Sequence, residues 1–140
     1  VHTHRDPLKT EPSSLSTLAT VRWERSDEVE LPESGGAGLG DMMIHLANRR
    51  AGGELPDRIL DSHFTELMAD PVQAVEKLYG QIGRPFVGEH ADAIRDYIES
   101  KPKGKFGQHK YSPEEWGFDP ALLREKMLPY TDHYGIALED

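Results

Sequence analysis

The stretch Val1-His2-Thr3-His4-Arg5-Asp6-Pro7-Leu8-Lys9-Thr10-Glu11-Pro12-Ser13 decides the fold, because it passes from an extended run into a helix with charged and turn-forming residues at the junction. Val1 to His4 reads as the end of a β-strand, begins without Met, and is expected to continue from chain upstream. Arg5 to Pro12 is polar and holds two prolines, which predicts a turn-rich stretch before a helix from about Ser13 to Arg25. Leu15, Leu18, Ala19 and Arg22 mark one side of that helix. A guanidinium just past a strand offers a planar fork of donors. A hydroxyl at the following helix start adds free backbone N–H groups and partial positive charge, so Arg5 and Ser13 together suit a phosphate. Spacing alone favours the plainer alternative, in which Arg5 pairs with a local acid and Ser13 caps its helix.

Further along, Asp27 to Gly40 mixes acids, Pro32 and glycines and favours a loop. A helix is expected from about Asp41 to Arg50, with Met42, Leu46, Met43 and Ala47 as its inward candidates, and Gly52-Gly53 as its stop. Arg58 to Phe64 is short and apolar enough for a strand. Asp70 can cap the next helix, Pro71 suits its first position, and Val72, Val75, Leu78, Tyr79 and Ile82 form its face before Gly83 ends it. Another helix spans about Glu89 to Ser100 with Ala91, Ile94, Tyr97 and Ile98 inward. The last starts at Asp119-Pro120 with Leu122, Leu123, Met127 and Tyr130, and Pro129 should kink it. Trp23 and Trp116 read as packing residues.

The 140 residues include 25 acidic and 16 basic ones, for a net charge of −9, which disfavours nucleic acid and anionic membrane surfaces as partners. The chain has no cysteine, so disulfides, thiolate catalysis and Cys-based zinc sites are excluded. No apolar run is long enough to span a bilayer and no signal-peptide pattern opens the chain, which points to the cytoplasm. His2 and His4 alternate onto one strand face, but no third ligand stands at a motif spacing, so no metal site is expected.

His4-Arg5-Asp6-Pro7, with Ser13 eight positions after the arginine, resembles the motif by which sulfotransferases that use 3′-phosphoadenosine-5′-phosphosulfate (PAPS) bind the cofactor's 3′-phosphate. Ile59-Leu60-Asp61-Ser62-His63-Phe64-Thr65-Glu66-Leu67-Met68-Ala69-Asp70-Pro71 looks like that family's strand and aromatic-acid-Leu segment, with Phe64 where a Tyr near the adenine is usual. Leu78-Tyr79-Gly80-Gln81-Ile82-Gly83-Arg84-Pro85 resembles its helix ending in a Gly-x-Pro turn. The run from Lys101 to Tyr111 looks like the basic C-terminal loop of the bacterial members, which closes over the 3′-phosphate.

The resemblance implies an α/β architecture, the C-terminal half of a P-loop-like sulfotransferase fold, mostly helical with one or two short strands, with residues 1–140 supplying the 3′-phosphate side of the domain. It assigns Arg5, Ser13, Phe64, Lys103, Lys105, Gln108, His109, Lys110 and Tyr111 to PAPS or its product, adenosine 3′,5′-bisphosphate. The reaction of the complete domain would move a sulfuryl group to a hydroxyl or amine of a small-molecule or glycan acceptor. The family's phosphosulfate loop and catalytic base lie upstream of the Arg-Asp-Pro segment. No such loop precedes Arg5, and Gly35 to Gly40 lacks the Lys or Arg and Ser/Thr of a phosphate loop. The resemblance therefore assigns no catalytic residue here, and the isolated chain is expected to be inactive. Two alternatives stand beside this reading: a truncated, non-catalytic nucleotide-binding or helical interaction fragment, and a kinase-like protein of the same broad fold, which would need a phosphate loop and magnesium ligands.

Overall fold

Asp-Pro pairs at 6–7, 70–71 and 119–120 each start a helix in the computed structural model, which describes residues 1–26, 38–101 and 112–139. In all three the aspartate accepts a backbone N–H that the first turn leaves unpaired, and the proline sits where no N–H is required. Asp6 accepts from Leu8 at 2.9 Å, Asp70 from Gln73 at 3.0 Å, and Asp119 from Ala121 and Leu122 at 2.8 and 3.1 Å.

The first pair corrects the sequence reading. Helix α1 runs Pro7–Trp23, so the stretch read as turn-rich forms its opening turns, Pro12 lies inside it, and Ser13 falls in the second turn. Two prolines and a polar composition masked a start signal identical to that at Asp70-Pro71.

The described chain is mostly helical with one two-stranded parallel sheet, and it divides into two compact units. One unit comprises Val1–His4 and Arg58–His109. Its strands β1 (His2–His4) and β2 (Asp61–His63) pair in parallel, His2 opposite Asp61 and His4 opposite His63. A short helix α3 (Phe64–Ala69), which the sequence reading left as part of a strand and connector, follows directly. Helices α4 (Pro71–Gln81) and α5 (Gly88–Ser100) pack on each other across a turn in which Gly83 adopts a φ of +66°. The rings of Tyr79 and Phe86 meet edge to face with centroids 5.4 Å apart, and His90 joins them at 5.0 Å from Tyr79.

The other unit comprises Arg5–Asp57 and Lys110–Asp140. Here α1, α2 (Leu39–Ala51) and α6 (Pro120–Tyr134) pack on one another, with a 3-10 turn at Glu114–Trp116 against α1. Leu8, Leu15, Met43, Ala47, Phe118, Leu123, Met127, Tyr130 and Ile136 form a continuous core, in which Tyr130 and Met127 are 0% and 1% exposed. Burying each such side chain stabilises the fold by about 1.5–3 kcal/mol. Gly40 sits so close to α6 that a Cβ there would lie 3.0 Å from Met127 Sδ and 3.2 Å from Glu11 Oε1. Pro129 lies within α6, and Gly135 ends that helix with a φ of +60°.

Several inward faces differ from the sequence reading. Of the four inward candidates on α2, Met43 and Ala47 are buried and Met42 is exposed, as are Leu122 of α6, Arg22 and Trp23. On α4 and α5 the buried positions are Ala74 and Ala91, whereas Ile82, Tyr97 and Ile98 are exposed. Trp116, by contrast, packs against the core as expected. Among the described residues no helix is long and apolar enough to cross a membrane.

Candidate anion-binding site

Arg5 follows β1 in the chain and stands two residues before the start of α1. Its fork is engaged in two parallel hydrogen bonds: Nε donates to Glu139 Oε1 at 2.8 Å and Nη2 donates to Glu139 Oε2 at 2.9 Å. Both side chains are partly buried, at 33% and 22% exposure, which makes this planar pair less screened than a surface one. Arg5 therefore pairs with an acid, as the plainer alternative has it, but with one 134 positions away rather than a local one.

Asp6 organises the surroundings. Its Oδ1 caps α1, while its Oδ2 accepts the Glu139 backbone N–H at 2.7 Å and faces Arg124 Nη1 at 3.5 Å. Asp6 is only 1% exposed and each carboxylate oxygen has a hydrogen-bonding partner, so the cost of burying it is offset locally. Beside it, a cleft of about 510 Å³ runs between the start of α1, α6 and the segment after Gly135; Leu8, Met127 and Leu138 supply apolar wall, and Asp6 and Arg124 supply charge.

Glu11, on α1, is 1% exposed, and among the described residues its Oε1 makes no hydrogen bond. Burial pushes its carboxyl up to about 7, with Lys126 pulling it down and Asp41 pushing it further up. Lys126 itself is held by Asp41 at 2.7 Å.

The other residues assigned by resemblance fall out differently. Ser13 is half-buried on α1, and its carbonyl accepts the Thr17 hydroxyl at 2.9 Å; lying in the second turn, it has no free helix-terminal N–H groups to contribute. Phe64 opens α3 in the strand-bearing unit and is half-buried. Lys103, Lys105, Gln108, His109, Lys110 and Tyr111 lie outside the described residues, as does most of the loop read from Asp27 to Gly40.

Sequence reading missed Glu139 and Asp61. The parallel pairing of β1 with β2 sets Asp61 beside His2 and His4, so a carboxylate distant in sequence joins the two imidazoles. A strand pairing across 57 positions leaves no local spacing to detect. No protein-family model, curated protein or solved structure matches the chain.

Proposed function

We propose that this chain carries the 3′-phosphate side of a PAPS-dependent sulfotransferase site, with Arg5 as its principal anion ligand. The observation that carries the reading is the two-bonded grip of the Arg5 fork on a carboxylate, two residues before α1 begins. A carboxylate and a phosphate present the same pair of oxygens to a guanidinium, so the donor set fits the phosphate that the resemblance implies. Ser13 would add a hydroxyl from the flank of α1, and the resemblance assigns the basic residues Lys103, Lys105 and Lys110 to the same phosphate. Their role is to bind and orient adenosine 3′,5′-bisphosphate or PAPS. The bond-making groups of sulfuryl transfer to a hydroxyl or amine acceptor are not assigned to this chain.

Glu139 must yield its place when the phosphate arrives, so the carboxylate acts as an internal competitor. Titration calorimetry of the whole chain with adenosine 3′,5′-bisphosphate and with 5′-AMP tests the reading. The bisphosphate should bind at least tenfold more tightly. Arg5→Ala should remove most of that preference, Arg5→Lys should restore part of it, and added salt should weaken it. Glu139→Gln should raise bisphosphate affinity severalfold. Equal affinity for the two nucleotides, in a chain whose circular dichroism is that of a folded helical protein, would overturn the proposal and leave Arg5–Glu139 as a structural tie.

A further inference from the structure

Strand geometry alone assembles a cluster of metal-binding side chains in the unit that holds β1 and β2. Residues two apart on a strand share a face, so His2 and His4 point the same way, as do Asp61 and His63. The in-register parallel pairing sets His2 against Asp61 and His4 against His63, with neighbouring strands about 4.8 Å apart. The outcome is visible in the side chains. The His2 and His4 rings lie 4.2 Å apart between centroids, the His63 ring lies 5.5 Å from that of His4, and His4 Nε2 is 2.9 Å from Asp61 Oδ1. One ligand atom from each of His2, His4 and Asp61 falls within 4.8 Å of the other two.

We propose that His2, His4 and Asp61 bind a divalent first-row transition-metal ion of the zinc type. Bonds of about 2.0–2.1 Å separate neighbouring ligand atoms by about 2.9 Å at right angles and about 3.3 Å at the tetrahedral angle. The His4–Asp61 separation of 2.9 Å matches the right-angle edge, and a small outward shift of the Asp61 carboxylate would bring it to the tetrahedral one. The wider spread, up to 4.8 Å, closes by rotation of the His2 imidazole toward the pair. Two nitrogen donors and one carboxylate favour borderline cations over magnesium or calcium, which take oxygen ligands. Three protein ligands leave a further coordination position for water or another donor, the composition of open sites rather than of closed four-ligand structural ones.

Burial supports the same assignment. The His4 side chain is fully enclosed while that of Asp61 is 32% exposed, so the cluster has a fixed inner ligand and a route from solvent at its outer edge. This inference is independent of the anion-site reading, since none of its residues is assigned to the nucleotide.

Zinc titration of the chelator-treated whole chain tests the proposal, read as bound zinc per chain by elemental analysis and as a zinc-dependent rise in melting temperature. One equivalent should bind with micromolar or tighter affinity. His2→Ala and Asp61→Asn should each weaken it at least tenfold and abolish the melting shift, whereas His133→Ala, on α6, should change neither. Because enclosed His4 supports the fold, His4→Ala is not needed; the two outer ligands carry the test with their folding checked by circular dichroism. Failure of the folded wild-type chain to take up zinc would overturn the assignment, as would unchanged uptake in both variants, and the His4–Asp61 contact would then be a hydrogen bond alone.

Discussion

The two units of this chain spend their apolar residues differently. In the helical unit, α1, α2 and α6 enclose Tyr130, Met127 and Leu15 almost completely. In the strand-bearing unit, the buried members among the described residues are His4, Ala74 and Ala91, and the large side chains Ile82, Tyr97 and Ile98 stay exposed. Yet α4 and α5 show apolar spacing as regular as that of α2. Periodicity reports that a helix has a face; it does not report what covers it. Depth of burial, and with it local stability, is set by the number of elements converging on that face.

Substitution at the centre of each unit should expose this contrast, the largest effect first. Tyr130→Ala should destabilise by roughly 3–5 kcal/mol and Met127→Ala by roughly 2–5 kcal/mol in urea unfolding, because each leaves a cavity between three packed helices. Losses below 1 kcal/mol at both positions would break the contrast.

Next in size is a pH effect confined to the helical unit. Folding raises the Glu11 carboxyl from its ordinary value near 4.5 to about 7, so the folded state holds its proton more tightly than the unfolded chain. That contribution is full below about 4.5 and is lost as pH rises to about 7 and beyond, by on the order of 3 kcal/mol. Glu11→Gln, neutral at every pH, should flatten this dependence and stabilise the protein at pH 8. Unfolding midpoints measured from pH 5 to pH 8 check it, and parallel curves for the two proteins would refute it.

Removing the Asp70 cap by Asp70→Ala should cost about 1 kcal/mol. Hydrogen exchange should register the change in α4 and leave α6 unaffected. The smallest effect belongs to Tyr97→Ala on α5: with its side chain largely in solvent, the cost should stay within about 0.5 kcal/mol. A loss comparable to that at Tyr130 would show that α5 is covered in solution and sharpen the comparison into a question about what covers it.

Much of the architecture was legible because its signals are local. Asp70-Pro71 with Gln73, Asp119-Pro120, and Gly83 each act within one turn, and the helices at 71–81, 88–100 and 120–134 appear close to where those residues put them. Asp6-Pro7 carried the same signal and was outweighed by Pro12, which a helix stabilised by packing on α6 can hold. The candidate site was legible only in part. Arg5 stood out by its place between strand and helix, whereas Glu139 could not, since a partner 134 positions away has no spacing rule to betray it. Asp61 escaped notice for the same reason: its neighbours are chosen by strand register, not by sequence distance.

The helical unit is built from two separated stretches, Arg5–Asp57 and Lys110–Asp140, and Asp6 fastens one to the other through the Glu139 backbone. On a ribosome this order imposes a wait. Leu8, Leu15, Met43 and Ala47 emerge first, but Leu123, Met127 and Tyr130, the side chains they pack against, follow only after the intervening segment has been made. At about 5–20 residues per second that delay lasts several seconds, during which α1 and α2 present apolar surface without its native cover. The strand-bearing unit faces a shorter interval for α3 to α5, whose contacts are near in sequence, but β1 must likewise wait for β2. Nascent chains halted just before Leu123 should therefore engage holdase chaperones, and those released beyond Glu139 should not.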